Sequence, residues 1–372
     1  TRGAIDVRAV PFYQLISDDI GYIVLSKFNR KTTTETKAAL EDLKLQGATK
    51  IILDLRGNPG GLLTEAINVV NLFVPKGASI VTTKSAIKKY NKTYKTQKPA
   101  FDTEIPLVVL VNGRSASASE IVSGGLQDLD RAVVIGARSF GKGLVQRPKK
   151  LTYGTQLKVT ISRYYTPSGR CIQALDYWNR DENGDPVRLG TEEYNSFKTK
   201  GGRTVYDGGG IMPDIELKSG EFSPITTALL KDQAIFDYAT NYYYNNKINN
   251  WENFSFSNRD FQDFLTFLKT NNFEYETETE KLFSKAFRKS KDEHLQKDIS
   301  SSYNQLIIAL DDAKEKALVE KKEEIINLLS DEILKRYFYR DGMYKYHLNY
   351  SPEILEAVSV LNNTSRYQKI LK

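Results

Sequence analysis

Residues 50–61 read KIILDLRGNPGG. Lys50 to Leu55 is an apolar run of the length a strand buried on both faces takes. Arg56-Gly57-Asn58-Pro59-Gly60-Gly61 then ends it. Glycines in such a turn let the backbone reach positive φ and aim its amides into a cleft. Leu62 to Phe73 follows with Leu63, Ala66, Ile67, Val70 and Phe73 on one helical face. The phrase is strand, turn, helix, and it recurs. Downstream, Ile105 to Val111 is a buried strand, Gly113 to Ser119 a turn, and Glu120 to Leu129 a helix before a short strand at Ala132 to Ile135. Upstream, the strand Ile20 to Phe28 precedes a helix over Thr34 to Leu45 that stops at Gly47. This alternation predicts an α/β fold of βαβ units around a largely parallel core. Gln156 to Tyr165 alternates as a longer strand.

The chain has 372 residues, enough for two or more domains. A hydrophobic fraction of 40% and a charged fraction of 27% are those of a globular protein. No run approaches the roughly 18 apolar residues that span a bilayer. The formal charge is +7, from 53 basic and 46 acidic residues, mild for this length. Its densest basic stretch is Lys84 to Lys98, with Tyr90 and Tyr94 inside it and no acid. That stretch reads either as a phosphate-tracking patch with stacking aromatics or as a solvated hairpin whose edge lysines blunt. The second is preferred, because nothing else suggests a nucleic-acid module. The single cysteine, Cys171, excludes an intramolecular disulfide and a cysteine-rich zinc site. It reads as a half-buried strand residue.

Beyond about residue 255 glycine nearly vanishes. Phe261 to Leu268, Glu280 to Phe287, Ser302 to Leu329 and Asp331 to Phe338 are charged amphipathic helical patterns. They predict a separate all-helical C-terminal domain, with packing or oligomerisation as its default role.

Three segments carry the chemistry. Gly113-Arg114-Ser115-Ala116-Ser117-Ala118-Ser119-Glu120 lies between a buried strand and a helix. α/β enzymes expose a nucleophile at such a turn, and the helix N-terminus offers N–H donors and a positive dipole end. Serines before a helix are also ordinary N-caps. The Asp54 to Gly61 turn has amides able to form half of an oxyanion hole, or is simply a tight connection. It matches neither the dinucleotide fingerprint nor the P-loop. Ser139-Phe140-Gly141-Lys142-Gly143-Leu144-Val145-Gln146 sets a lysine between two glycines. A lysine serves as a base when burial lowers its pKa. Phe140, Leu144 and Val145 are candidate walls, and Gln146 offers an amide to orient the amine. An exposed loop lysine is the plain alternative. A Ser–His–Asp triad needs a histidine near the serine. His294 and His347 both lie in the helical region, which leaves lysine as the simpler base. The residues by themselves reach a hydrolase using serine and lysine.

Together these segments resemble the carboxy-terminal processing peptidases, the tail-specific S41 serine proteases. The resemblance covers about residues 1–217 and includes Gly21-Tyr22-Ile23, Val109 to Asn112, Tyr165 to Arg170 and Asp207 to Asp214. It implies a ClpP/crotonase-like sandwich core followed by the helical domain. It also implies Ser117 as nucleophile, Lys142 as general base and Gln146 as the base's hydrogen-bond partner. Ala118 and an amide of Gly60 or Gly61 become the oxyanion hole, and Ser115 and Ser119 become structural. The expected organisation is 1–19 as a connection from an upstream PDZ or N-terminal region, 20–230 as peptidase core and 255–372 as the helical domain. The expected activity is endopeptidase cleavage of unfolded or C-terminally tagged proteins through an acyl-enzyme, with no cofactor and no metal. The rivals are a catalytically silent binding scaffold and a crotonase-like acyl-transfer enzyme. Expected partners are protein or peptide substrates, an adaptor protein, and a second copy through the C-terminal helices; no nucleic acid is expected. The resemblance implies the periplasm or cell envelope of a bacterium.

Overall fold

The computed structural model of the protein describes residues 7–182, 184–217 and 222–372, with Gly3 and Ile5. The described chain divides into two units, residues 1–219 with 348–372, and residues 220–347.

The first unit runs β1 (Phe12–Ile16), β2 (Ile20–Val24), α1 (Thr32–Leu45), β3 (Lys50–Asp54), α2 (Leu63–Phe73), β4 (Ser79–Lys84), β5 (Lys92–Lys95), β6 (Leu107–Val111), α3 (Ala118–Asp128) and β7 (Val133–Gly136). Then come β8 (Leu144–Lys150), β9 (Gln156–Tyr165), β10 (Leu175–Arg180), β11 (Pro186–Arg188), β12 (Ser196–Lys198), β13 (Thr204–Tyr206) and β14 (Ile215–Glu216). One sheet has the order β1-β2-β3-β6-β7-β14, a second β5-β4-β9-β8. In the first sheet β1 is antiparallel to β2, and every other pairing is parallel. The second sheet is antiparallel throughout.

Strands β3 and β6 are buried along nearly their whole length because both faces of the first sheet are covered. Alternate residues, Ile51, Leu53, Leu107, Val109 and Val111, join one core cluster with α1, α2 and α3. The intervening set, including Ile52, Val108 and Leu110, is equally buried but lies outside that cluster. Two helices near the chain's end, α10 (Pro352–Asn362) and α11 (Thr364–Leu371), pack on β3, β6 and β7 and account for that second face. They are anchored there by polar contacts. The Leu107 N–H donates to Tyr367 Oη at 3.0 Å, and Arg56 bridges Asp54 to Glu353.

The boundaries therefore differ from those expected. Residues 348–372 belong with the core rather than with the helices before them. Within 1–19, Phe12–Ile16 is an edge strand of the core sheet; Thr1, Arg2, Ala4 and Asp6 lie outside the described residues. Residues 218–221, inside the expected 20–230 core, do so too. The Lys84 to Lys98 stretch is a hairpin of β4 and β5 at a sheet edge, as its solvated reading requires.

The second unit holds α4 (Pro224–Lys231), α5 (Ala234–Asn245), α6 (Asn258–Thr270), α7 (Glu278–Asp292), α8 (Gln296–Glu320) and most of α9 (Lys322–Tyr350). Its core gathers Leu229, Ile235, Tyr238, Phe261, Phe264, Leu329 and Ile333. The periodic stretch Ser302 to Leu329 is not one helix; the chain breaks at Lys321 between α8 and α9.

Candidate active site

β3, β6 and β7 are neighbours in one parallel arrangement, so the turns that follow them open at the same end of the sheet. Those turns hold Gly60-Gly61, Ser117 and Lys142. Ligand sites of open parallel sheets form at carboxyl strand ends for this reason.

Ser117 stands at the N-cap of α3 with φ 56° and ψ −108°, outside the regions a side-chain-bearing residue prefers. The surroundings hold it there. Its carbonyl accepts the Glu120 N–H at 3.0 Å, and its own N–H donates to Glu120 Oε2 at 2.7 Å. Ser115 and Ser119 are engaged differently. The Ser115 hydroxyl donates to the Leu55 carbonyl at 2.8 Å and the Ser119 hydroxyl to the Asn58 carbonyl at 2.9 Å. Both tie the serine turn to the glycine turn.

Glu120 is fully buried, and the sequence reading gave it no role. Its Oε2 also accepts the Lys142 N–H at 2.9 Å, while Oε1 accepts the Gly141 N–H and the Ser139 hydroxyl, both at 2.6 Å. One carboxylate oxygen thus holds the backbone nitrogens of Ser117 and Lys142 within two hydrogen-bond lengths of each other; among the described residues no hydrogen bond joins their side chains. Burial pushes the Glu120 carboxyl above its ordinary pKa, although its four donors pull the other way. Buried Tyr164 also links the pair: its hydroxyl reaches the Lys142 carbonyl at 2.6 Å and the Ser117 carbonyl at 3.2 Å. The spacing Ser117-x-x-Glu120 is a capping-box signature and made Glu120 findable. No local signal points to Tyr164.

Lys142 is half-buried between buried Gly141 and Gly143. The two glycines are required by a neighbouring segment. Gly141 has φ 86°, and a Cβ there would lie 2.3 Å from Ala174 Cβ. The Gly143 N–H donates to Gln173 Oε1 at 2.8 Å. The walls differ from those expected: Phe140 is exposed, and Leu144 faces an outer groove. Gln146 is exposed on β8, and its amide faces Thr160 Oγ1 at 3.5 Å. Among the described residues no hydrogen bond joins it to Lys142.

Gly60 lies against the nucleophile turn. A Cβ on it would sit 2.8 Å from the Ala118 nitrogen and 2.9 Å from Ser117 Cβ. Its φ of 95° also suits glycine. Its N–H, however, is occupied by Asn58 Oδ1 at 2.9 Å, so Gly60 is not the expected oxyanion donor. The N–H groups of Ala118 and Gly61 have no acceptor among the described residues. Buried Asn58 organises this corner, also donating to the Leu25 carbonyl at 2.6 Å.

Fold and site together place a strained serine and a lysine at neighbouring strand ends of an α/β core. Residues 19–177 match the model of peptidase family S41. Residues 225–361 match a second model, described as the C-terminal helical domain of a probable PDZ-protease. The carboxy-terminal-processing protease of Bartonella bacilliformis is 43% identical over 181 residues, which cover 47% of this chain and 40% of the relative. The chloroplastic C-terminal processing peptidase of Tetradesmus obliquus is 37% identical over 173 residues, covering 46% and 37%. The chain thus spans well under half the length of these curated relatives. Among solved structures, the photosystem II D1 C-terminal processing protease is similar at 32% identity over 54% of this chain and 42% of that one, with a TM-score of 0.40.

Proposed function

We propose that the chain is an endopeptidase in which the amine of Lys142 takes the Ser117 hydroxyl proton and Ser117 attacks the scissile carbonyl. The N–H groups of Ala118 and Gly61 stabilise the tetrahedral oxyanion, a contribution of about 3 kcal/mol per donor. Lys142 then protonates the leaving amine, and water hydrolyses the acyl-enzyme. The observation that carries this reading is the shared Glu120 oxygen, which gathers the main chains of the strained serine and the lysine at one end of the sheet. The names of the relatives, processing proteases of C-termini, favour polypeptide chains and their C-terminal stretches as substrates.

Digestion of unfolded casein by the parent chain, Ser117→Ala, Lys142→Ala and a Ser119→Ala control tests this. Cleavage should vanish in the first two variants, with far-ultraviolet circular dichroism unchanged, and persist in the third. Cleavage surviving Ser117→Ala would refute the nucleophile; cleavage surviving Lys142→Ala would refute the base.

A further inference from the structure

A groove of about 1490 Å³ crosses the outer face of the second sheet, and the site's mechanism does not use it. Leu144 and Gln146, just beyond Lys142, line it, as does Gln173, whose side chain holds the Gly143 N–H. It is therefore continuous with the lysine loop.

Its charge is one-sided. Lys84, Lys89, Arg147, Lys149 and Arg163 line it, against Asp176 as the one carboxylate. Elsewhere the protein pairs its cations readily, as Arg170 with Asp128 and Arg203 with Asp130. None of the five groove cations is in an ion pair among the described residues. Instead Lys84 stands over the Tyr165 ring at 4.3 Å, and Lys89 and Arg147 stand over Tyr90 at 5.2 and 5.9 Å. Apolar surface lies among these charges. Leu157 and Val159 are exposed, and Trp178 is 92% exposed. Tryptophan is seldom left so open, and apolar surface gathered along one groove, as here, marks a contact surface.

We propose that this groove takes acidic stretches of an extended polypeptide, seating carboxylates among the cations and apolar side chains on Trp178, Leu157 and Val159. As a substrate preference it rests on the peptidase reading. The spread of its lining over β8, β9 and β10 and its continuity with the Lys142 loop favour a polypeptide lying across it. A nucleic-acid strand is the rival for the same cations and rings. Each exposed ion pair shifts an equilibrium only a few-fold, so three or four together give about tenfold.

Fluorescence anisotropy on the Ser117→Ala chain, which binds without cleaving, provides the test. Three labelled peptides of equal length share Leu and Tyr and differ in carrying Glu, Gln or Lys; a fourth probe is an oligothymidylate. The Glu peptide should bind about tenfold tighter than the Gln peptide at low ionic strength, and added salt should erase the difference. Adding Lys84→Ala, Arg147→Ala and Lys149→Ala should remove the preference. The same three changes in the parent should leave cleavage of the Gln peptide intact, which excludes a folding defect. Equal affinity for the Glu and Gln peptides overturns the proposal, as does a preference that survives the triple change or an oligothymidylate that binds tighter. If the parent cleaves no peptide while the preference in binding remains, the peptidase reading falls and the groove assignment stands.

Discussion

Glu120 joins a serine and a lysine that stand 25 positions apart, and both of its oxygens serve as double acceptors. Glu120→Gln keeps the shape but turns an N–H donor toward two existing donors. The expected result is a fall in kcat of about tenfold or more with KM nearly unchanged, since the substrate-binding surface is intact. An unchanged kcat would remove Glu120 as a positioning residue. Melting curves supply a second readout. Burial raises this carboxyl, so its stability contribution is full below the ordinary carboxylate range and is lost as pH rises through the raised value. The glutamine does not titrate. The melting temperature of Glu120→Gln should therefore gain on the parent's as pH climbs through that window. Serine type alone did not separate Ser115, Ser117 and Ser119; their hydrogen bonds and the φ of Ser117 do.

At the scale of elements, the lysine loop has little regular structure of its own and is shaped by what packs on it. The Ala174 N–H donates to the Gly141 carbonyl at 3.0 Å. From the other side, Ser139 exchanges bonds with Ile211, its hydroxyl receiving that N–H at 2.6 Å. This explains the Asp207 to Asp214 motif as a brace for the loop. Gly141→Ala forces a Cβ into Ala174 at positive φ. It should cost about 1–3 kcal/mol in urea denaturation and lower cleavage with it. Full stability would show that the loop is free to move away from 172–174.

At the scale of the molecule, the two units keep separate hydrophobic cores. Chains built this way often unfold in more than one step. The two tryptophans can report it. Trp251 packs on the core of the second unit, whereas Trp178 is already exposed in the native state. Tryptophan fluorescence should therefore follow the helical unit and casein cleavage the first unit, at different urea midpoints. Coincident midpoints would mean that the units unfold as one.

The sequence by itself determined the main elements of the core and the three candidate turns. Buried strands and amphipathic helices write their period into the chain, and turns write their glycines. It also singled out Ser117, Lys142 and Ala118 as candidates, because motif spacing is local. Tertiary structure alone decided which strands are neighbours. The order β3-β6-β7 is a long-range pairing, and it brings the three turns to one end of the sheet. Tertiary structure also gave Glu120 and Tyr164 their roles, assigned the Gly60 amide to Asn58, and turned Gln146 outward along β8. Each of those depends on which hydrogen-bond partner lies across a contact between distant segments. The last helices belong to the first unit for the same reason: an amphipathic helix shows that it has a face to bury, and only the second apolar face of the sheet, which these helices cover, shows where.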